Sequence, residues 1–473
     1  MSLTRQLAHN TIVQIVGKIL STILGLIALG LMTRYFGQEK FGWYITATAF
    51  LQFIGILADF GMIPVTAQML SEPHEDKDKL FQNLFTFRFF SALLFLGLAP
   101  FISMFFPYPT EVKLAISLTT IAFLAITLNQ VFVGFYQTKL KMHIQATGEV
   151  IGRAVLVLGV WLLVAKQSSF LPVMAVVSLA SVSHTVFLVW RARQETKIAF
   201  VFDWEIWRQI MSKMWPIALS IIFNVVYLKG DLVLLSLFVS QAEVGIYGAA
   251  YRVLDVIAQS AMMIMGMLLP LLAFSWSRNM KLDFQKHYQR SFDIMMLFAI
   301  PMMTGAIALS DEIMKFIAGA EFAASGKILS ILAIAVFGVF LGAVFGHTAV
   351  AIDRQKQTLW VYISNAILAL TGYLVFIPKF GLYGAAWVSV FSELYAGLML
   401  FLTIRHYSRE KLKLNTLTKI IFASVIMGLS LWLFKTIPLL LSVTLAILIY
   451  SGVLLLSGGI SKQTLKEILS GQN

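Results

Sequence analysis

Across 473 residues, hydrophobic side chains make up 59% and charged ones only 12%, with a mean hydropathy of +0.83. Soluble domains run about half apolar and about a quarter charged, so a soluble fold is excluded and a polytopic membrane protein is required. The formal charge of +13 does not mark a nucleic-acid binder: the lysines and arginines sit in short loops between apolar runs, where they orient helices in a bilayer.

A helix needs roughly 20 apolar residues to cross the hydrocarbon core. Fourteen runs qualify, near 10–33, 43–70, 82–106, 114–136, 144–165, 170–190, 216–239, 244–275, 290–310, 326–350, 358–377, 385–405, 417–435 and 438–459. The first is too long for a signal-peptide core and is followed by no small-residue cleavage site, so it is expected to stay as a helix. Connections as short as Lys166-Gln167-Ser168-Ser169 and Pro378-Lys379-Phe380-Gly381 make their neighbours antiparallel hairpins. The fold class is therefore all-α, because lipid-facing backbone must bond to itself and nothing reads as barrel strands. With an even number of spans, 23 lysines and arginines fall on the side of the termini and 8 on the other. The positive-inside rule then places both termini in the cytosol.

The first two spans are joined by a turn at Arg34-Tyr35-Phe36-Gly37-Gln38-Glu39-Lys40-Phe41-Gly42, and the second carries Ala58-Asp59-Phe60-Gly61. A shift of 203 positions lays Gln38 on Gln241, Gly42 on Gly245, Tyr44 on Tyr247, and Phe81-Gln82 on Phe284-Gln285. This repeat predicts two six-helix halves of the same direction, 1–195 and 216–410, a standard transporter plan. Residues 196–215 join them, and a further hairpin with a tail, 411–473, follows. In the joining segment Phe200, Trp204, Trp207, Met211 and Met214 recur at helical spacing, opposite Glu205, Arg208, Gln209, Ser212 and Lys213, with Asp203 as the expected cap. It reads as an amphipathic helix on the membrane surface or as a simple tether. Ser461–Asn473, with Leu465, Ile468 and Leu469, repeats that pattern more weakly.

Charge within a bilayer costs several kcal/mol and tends to mark ion or substrate pathways. Inside the spans lie Lys18, Arg88, Arg153, Lys229 and Arg252, with Asp59, Glu149, Asp231, Asp255, Asp293 and Glu393. Glu149 and Arg153 are four apart and Arg252 and Asp255 three apart, so each pair can meet on one helix face. Lys229 and Asp231 are two apart and cannot share a face. Lys18 and Lys229 are expected to look into a water-filled cavity, and Arg88 and Asp293 to snorkel to a membrane surface. Such a cavity suits an anionic headgroup, with acids left over for a proton or a sodium ion. His184 and His347 read as helix–helix hydrogen-bonding groups. Gly17-Lys18 and Gly326-Lys327 are followed by isoleucine, so there is no phosphate-cradling loop. No metal or nucleophile motif appears either, so the chain is expected to be a transporter and not an enzyme, without a cofactor.

Leu31-Met32-Thr33-Arg34-Tyr35-Phe36-Gly37-Gln38-Glu39-Lys40-Phe41-Gly42-Trp43-Tyr44, then Asp59-Phe60-Gly61, then Gly381-Leu382-Tyr383-Gly384-Ala385-Ala386 resemble the polysaccharide-transporter branch of the multidrug/oligosaccharidyl-lipid/polysaccharide superfamily, the Wzx-type flippases. The resemblance implies two lobes rocking around a central cavity to move an undecaprenyl-pyrophosphate-linked oligosaccharide across a bacterial inner membrane. It also implies membrane lipids, a polysaccharide polymerase and a chain-length regulator as partners, and no nucleic acid. In the related lipid II flippases an arginine early in the eighth span contacts the headgroup, and Arg252 stands at the matching position. Those flippases also carry an Arg-Asp pair in the first span, where this chain has Ala28-Leu29. The expected substrate-binding residues are accordingly Arg252, Lys229, Lys18 and Arg153, and the ion-coupling or charge-balancing ones Asp59, Asp255, Glu149 and Asp231. A cation-coupled multidrug exporter, a lipid II flippase and a non-transporting scaffold of a glycan-assembly complex are the alternatives.

Overall fold

The computed structural model describes residues 3–59, 61–72, 76–434 and 437–459. The side chains of 3–12, 56–59, 64, 216–222 and 224–228 also lie outside the described residues. The Asp59 carboxylate and the tail segment Ser461–Asn473 fall in those parts. The chain forms two compact units, Met1–Gly245 and Ile246–Asn473.

Helices account for nearly everything described. The first unit contains α1 (Leu3–Asp59), α2 (Met62–Ser71), α3 (Lys77–Gly97), α4 (Ala99–Ser103), α5 (Thr110–Thr138), α6 (Met142–Ala165), α7 (Phe170–Ala192), α8 (Trp204–Phe238) and the first turn of α9 (Gln241–Ser277). The rest of α9 belongs to the second unit, with α10 (Lys281–Ala308), α11 (Ser310–Ala318), α12 (Ala324–Ala351), α13 (Leu359–Ser408), α14 (Asn415–Leu433) and α15 (Leu439–Leu456).

Among the described residues, eleven helical stretches are long and apolar enough to cross a membrane. Two of them, Val13–Gly55 and Gln355–Ser408, hold 43 and 54 residues, length for two crossings each. They bend at Gly37 (φ 66°) and Gly381 (φ 55°), where the backbone takes the left-handed region that only glycine enters without strain. Both glycines stand in the turns read from the sequence. The seventh expected span falls in α8, where many side chains are not described.

Local chemistry explains the helix starts outside the bilayer. Asp76 caps α3 by accepting from Lys79 N at 2.9 Å. Asp203 caps α8 by accepting from Glu205 N at 3.0 Å and Ile206 N at 3.4 Å, and the Lys79 ammonium 2.6 Å away, together with those N–H groups, holds its carboxyl below the usual range. Side by side, α6 and α7 approach through Gly148 and Gly152: a Cβ there would lie 2.7 Å from the His184 ring and 2.9 Å from the Ala180 carbonyl. Small residues four apart are the usual means of bringing apolar helices together in lipid.

The first unit's core gathers Phe81, Leu84, Phe132, Phe135, Tyr136, Leu188, Ile210 and Met214. Outward, Phe105 (90% exposed) and Leu456 (91%) show the opposite of a water-facing surface, as lipid requires. From Trp204 onward the joining segment and the seventh span are one continuous helix. Its buried stripe is Ile206, Ile210 and Met214, while Trp204 and Met211 are exposed. The stripe expected from the sequence is met in part: Met214 is buried and Trp207 packs on Phe87 against the core, Trp204 and Met211 face outward, and Ile206 and Ile210 complete the face turned toward the neighbouring helices, α2 and α3 among them.

Candidate intramembrane charge site

Three intramembrane charges of the first unit, Lys18, Glu149 and Arg153, gather between α1 and α6. Lys18 of α1 reaches Glu149 of α6, Nζ to Oε1 at 3.0 Å, with the two side chains 34% and 19% exposed. Ser21 Oγ donates to the same oxygen at 3.1 Å, and Gln145 Nε2 donates to Oε2 at 3.3 Å. Glu149 thus spends its acceptors on another helix and on its own preceding turn. The Glu149–Arg153 ion pair allowed by spacing is not formed among the described residues. Arg153 lies beside Gly25 instead, its guanidinium carbon 3.8 Å from where a Cβ would stand. A larger residue at 25 would take the space of that cation.

The network continues toward α5 and α7. His184 Nδ1 and Asn129 Nδ2 are 3.2 Å apart, and His184 Nε2 and Asn129 Oδ1 have no bonded partner among the described residues. His184 therefore links helices, as read from the sequence, and keeps one nitrogen unused close to the charged pair.

Arg88 overturns the snorkelling expectation. It is fully buried, its Nε donating to the Thr127 carbonyl at 3.1 Å and its terminal nitrogen to Gln130 Oε1. Position in a span suggests proximity to a surface, but α5 supplies a carbonyl that sequence spacing cannot reveal. On α8, Asp231 is fully buried and accepts from Leu232 N at 2.8 Å, whereas Lys229 is half-buried.

In the second unit Arg252 and Asp255 share a face of α9, 3.8 Å apart and 31% and 26% exposed. Asp293 accepts from Gln289, whose amide also exchanges hydrogen bonds with the Lys413 backbone. This ties the first half of α10 to the irregular segment that leads into α14. The sequence reading missed Asn365: it is fully buried in α13, and neither amide atom has a partner among the described residues. A buried amide of this kind is the sort of polar group that marks a binding position in an apolar helix, but one asparagine in a long span carries no signal by itself.

The residues paired by the repeat also meet. A Cβ on Gly42 would lie 1.7 Å from the Gln241 carbonyl, and one on Gly245 would lie 2.1 Å from the Gln38 carbonyl. Glycine and glutamine of each repeat thus oppose glutamine and glycine of the other. Thr46 Oγ1 donates to Gln241 Oε1 at 2.7 Å beside them. Two backbones are in direct contact through the absence of side chains.

Comparisons with known proteins follow the same lines. Residues 7–276 match the family described as "Polysaccharide biosynthesis protein". The "Probable low-salt glycan biosynthesis flippase Agl15" of Haloferax volcanii is 23% identical, with 98% of each chain covered. The "Putative O-antigen transporter" of Shigella flexneri is 21% identical over 80% of this chain and 92% of its own. Among solved structures, the lipid II flippase MurJ in an inward closed conformation superposes with a TM-score of 0.79 at 17% identity, over 98% of this chain and 100% of that one. An inward-facing multidrug resistance MATE family transporter of the MOP superfamily reaches 0.67 at 15% identity, over 84% and 98%. The helical plan is the one these transporters share, and the relatives are transporters by name, not enzymes. The match over more than half its length shows that the chain belongs to the polysaccharide biosynthesis protein family.

Proposed function

We propose that the protein is a flippase for undecaprenyl-pyrophosphate-linked oligosaccharide repeat units, working by alternating access in a bacterial inner membrane with both termini cytosolic. The observation that carries this reading is the Lys18–Glu149 pair with Arg153 beside it, a charged group with a surplus cation set among apolar helices. A diphosphate headgroup competes with Glu149 for Lys18, and the released carboxylate then takes up a proton or sodium ion. Arg252 with Asp255, and Lys229 with Asp231, offer the same combination of signs at two further positions. Asp59 is a further coupling candidate. The likeness over nearly full length to a glycan flippase supports the substrate class. At Ala28 and Leu29, where lipid II flippases carry an Arg-Asp pair, two buried apolar side chains argue against lipid II itself.

The test is a deletion strain examined for surface glycan and for lipid-linked intermediates, complemented by Lys18→Gln and Arg252→Gln. The expected result is loss of surface polymer, repeat units accumulating on the carrier lipid, and folded but inactive variants. Intact glycan in the deletion strain would overturn the proposal, and new sensitivity to cationic dyes in its place would move the protein to the multidrug exporters.

A further inference from the structure

At one end of the first unit, α2 stops, α3 begins, α5 gives way to α6, and α7 runs into the segment 193–203. Two adjoining clefts of about 570 and 480 Å³ open there, both lined by Asp78, Glu195 and Thr196. These volumes are in the range of small-ligand sites.

The two carboxylates in the clefts are already committed. Asp78 Oδ1 accepts from the Thr196 hydroxyl at 2.6 Å. Glu195 bridges Lys139 and Lys141 at 3.1 and 3.0 Å. Burial pushes the Glu195 carboxyl up, but the hydrogen bonds from Lys141 and Lys139 outweigh it and keep the group low and ionised. Lys77, Arg193 and Lys197 also line the clefts, are exposed, and stand in no ion pair among the described residues. Each cleft alone balances two cations against the shared Asp78 and Glu195, but across both the lining sets Lys77, Lys139, Arg193 and Lys197 against those two carboxylates, a cationic surplus that suits an anion spanning the pair.

Their depth is marked by the aromatic residues next to them. Phe200, Phe202 and Trp204 are 59%, 63% and 60% exposed, and the Arg191 guanidinium lies 5.6 Å from the centre of the exposed Trp190 ring. Exposed aromatics interleaved with arginine and lysine at the ends of apolar helices are found at headgroup level. A cationic cleft at that level meets anionic lipid.

We infer that these two clefts bind the phosphate headgroup of an anionic phospholipid, held by Arg193, Lys197 and Lys77 at the junction of α2–α3 with the α7–α8 segment. The site is separate from the charges within the spans and does not depend on what those carry. Occupation would anchor this end of the unit to the anionic leaflet.

The experiment uses the purified full-length protein in detergent. Phosphatidylglycerol, phosphatidylcholine or inorganic phosphate is titrated, with bound lipid read by native mass spectrometry and stability by thermal unfolding. Phosphatidylglycerol should bind and raise the melting temperature of the wild type, while phosphatidylcholine and inorganic phosphate should not. Arg193→Gln with Lys197→Gln should weaken phosphatidylglycerol by roughly fivefold per cation removed. The exposed pair Lys281→Gln with Lys286→Gln, in the second unit, should bind as wild type. If the first double variant folds poorly, Arg193→Lys with Lys197→Arg should restore binding along with charge. Unchanged binding by the glutamine variant, equal binding of phosphatidylcholine, or an equal response to inorganic phosphate would each overturn the assignment.

Discussion

Gly42→Ala is the most incisive perturbation that the structure offers. The added methyl would sit 1.7 Å from the Gln241 carbonyl oxygen and 3.2 Å from Gly245 N. A carbon and an oxygen in ordinary contact need about 3.3–3.6 Å, so two backbones must part by about 1.5 Å or more. No rotamer can absorb this, because both offending groups are main chain. Overpacking typically costs about 1–3 kcal/mol, and this site belongs at the upper end. If transport requires this contact to open and close, the strain lowers the closed-to-open ratio by about 5- to 150-fold. The chain contains no cysteine, so Thr46→Cys with Gln241→Cys, whose native Oγ1 and Oε1 are 2.7 Å apart, gives with a short bifunctional thiol reagent a clean crosslinking reporter of this contact. Crosslinking in a short pulse should fall in Gly42→Ala. It should fall equally in Gly245→Ala, since that methyl meets the Gln38 carbonyl at 2.1 Å. The double variant should lose little more than either single one, because the first methyl already separates the backbones. Wild-type crosslinking in both single variants would refute the reasoning. A loss in one but not the other would refute the reciprocity.

Three further outcomes are expected. Glu149→Gln leaves Lys18 without its carboxylate; breaking a buried pair costs about 3–5 kcal/mol, and partial exposure here reduces this to about 1–2 kcal/mol, a drop of about 1–2 °C in melting temperature for a chain of this length that Lys18→Met in the same chain should largely reverse. Arg88→Ala removes a fully buried side chain and frees the Thr127 carbonyl, and should destabilise by about 3 kcal/mol or more, seen as lost expression of folded protein; normal yield and melting temperature would contradict the hydrogen-bonded role. Glu195 has its carboxyl held low in the folded chain, so its contribution is present above the ordinary carboxylate value of 4.5 and lost as pH falls through the folded value. The melting temperature should therefore drop on acidification below about pH 4.5 by more in the wild type than in Glu195→Gln.

Much of the helical plan was legible because lipid imposes one rule on every span. Run length located the helices, and Gly37 and Gly381 were readable as turns from their place in short polar connections. The paired positions of the repeat proved to be physical neighbours in the case of Gln38, Gly42, Gln241 and Gly245. Partnership between helices was another matter. Spacing within one helix offered Arg153 to Glu149, whereas the fold brings Lys18 from α1, more than a hundred positions away in sequence. Arg88 and Asn365 were obscure for the same reason: what surrounds a polar group in a bundle is decided by neighbouring helices. The α8 stripe was read correctly at Trp207 and Met214, which pack on the core, and wrongly at Trp204 and Met211, which face outward. At a bilayer surface the aliphatic Ile206 and Ile210 go inward and Trp204 stays out.

Helix α8 has 35 residues without a break, about 52 Å at 1.5 Å per residue. A flexible tether would accept an inserted residue with indifference. A rigid rod does not: one extra residue in 204–215 turns everything beyond it by about 100° and advances it by 1.5 Å. Asp231 would then leave its burial site and Ser236 its hydroxyl contact with Tyr108. An inserted residue is consequently expected to be tolerated in the stretch before Trp204 and not within 204–215, because the angular setting of the buried acid is fixed by the register of a segment far outside its own surroundings.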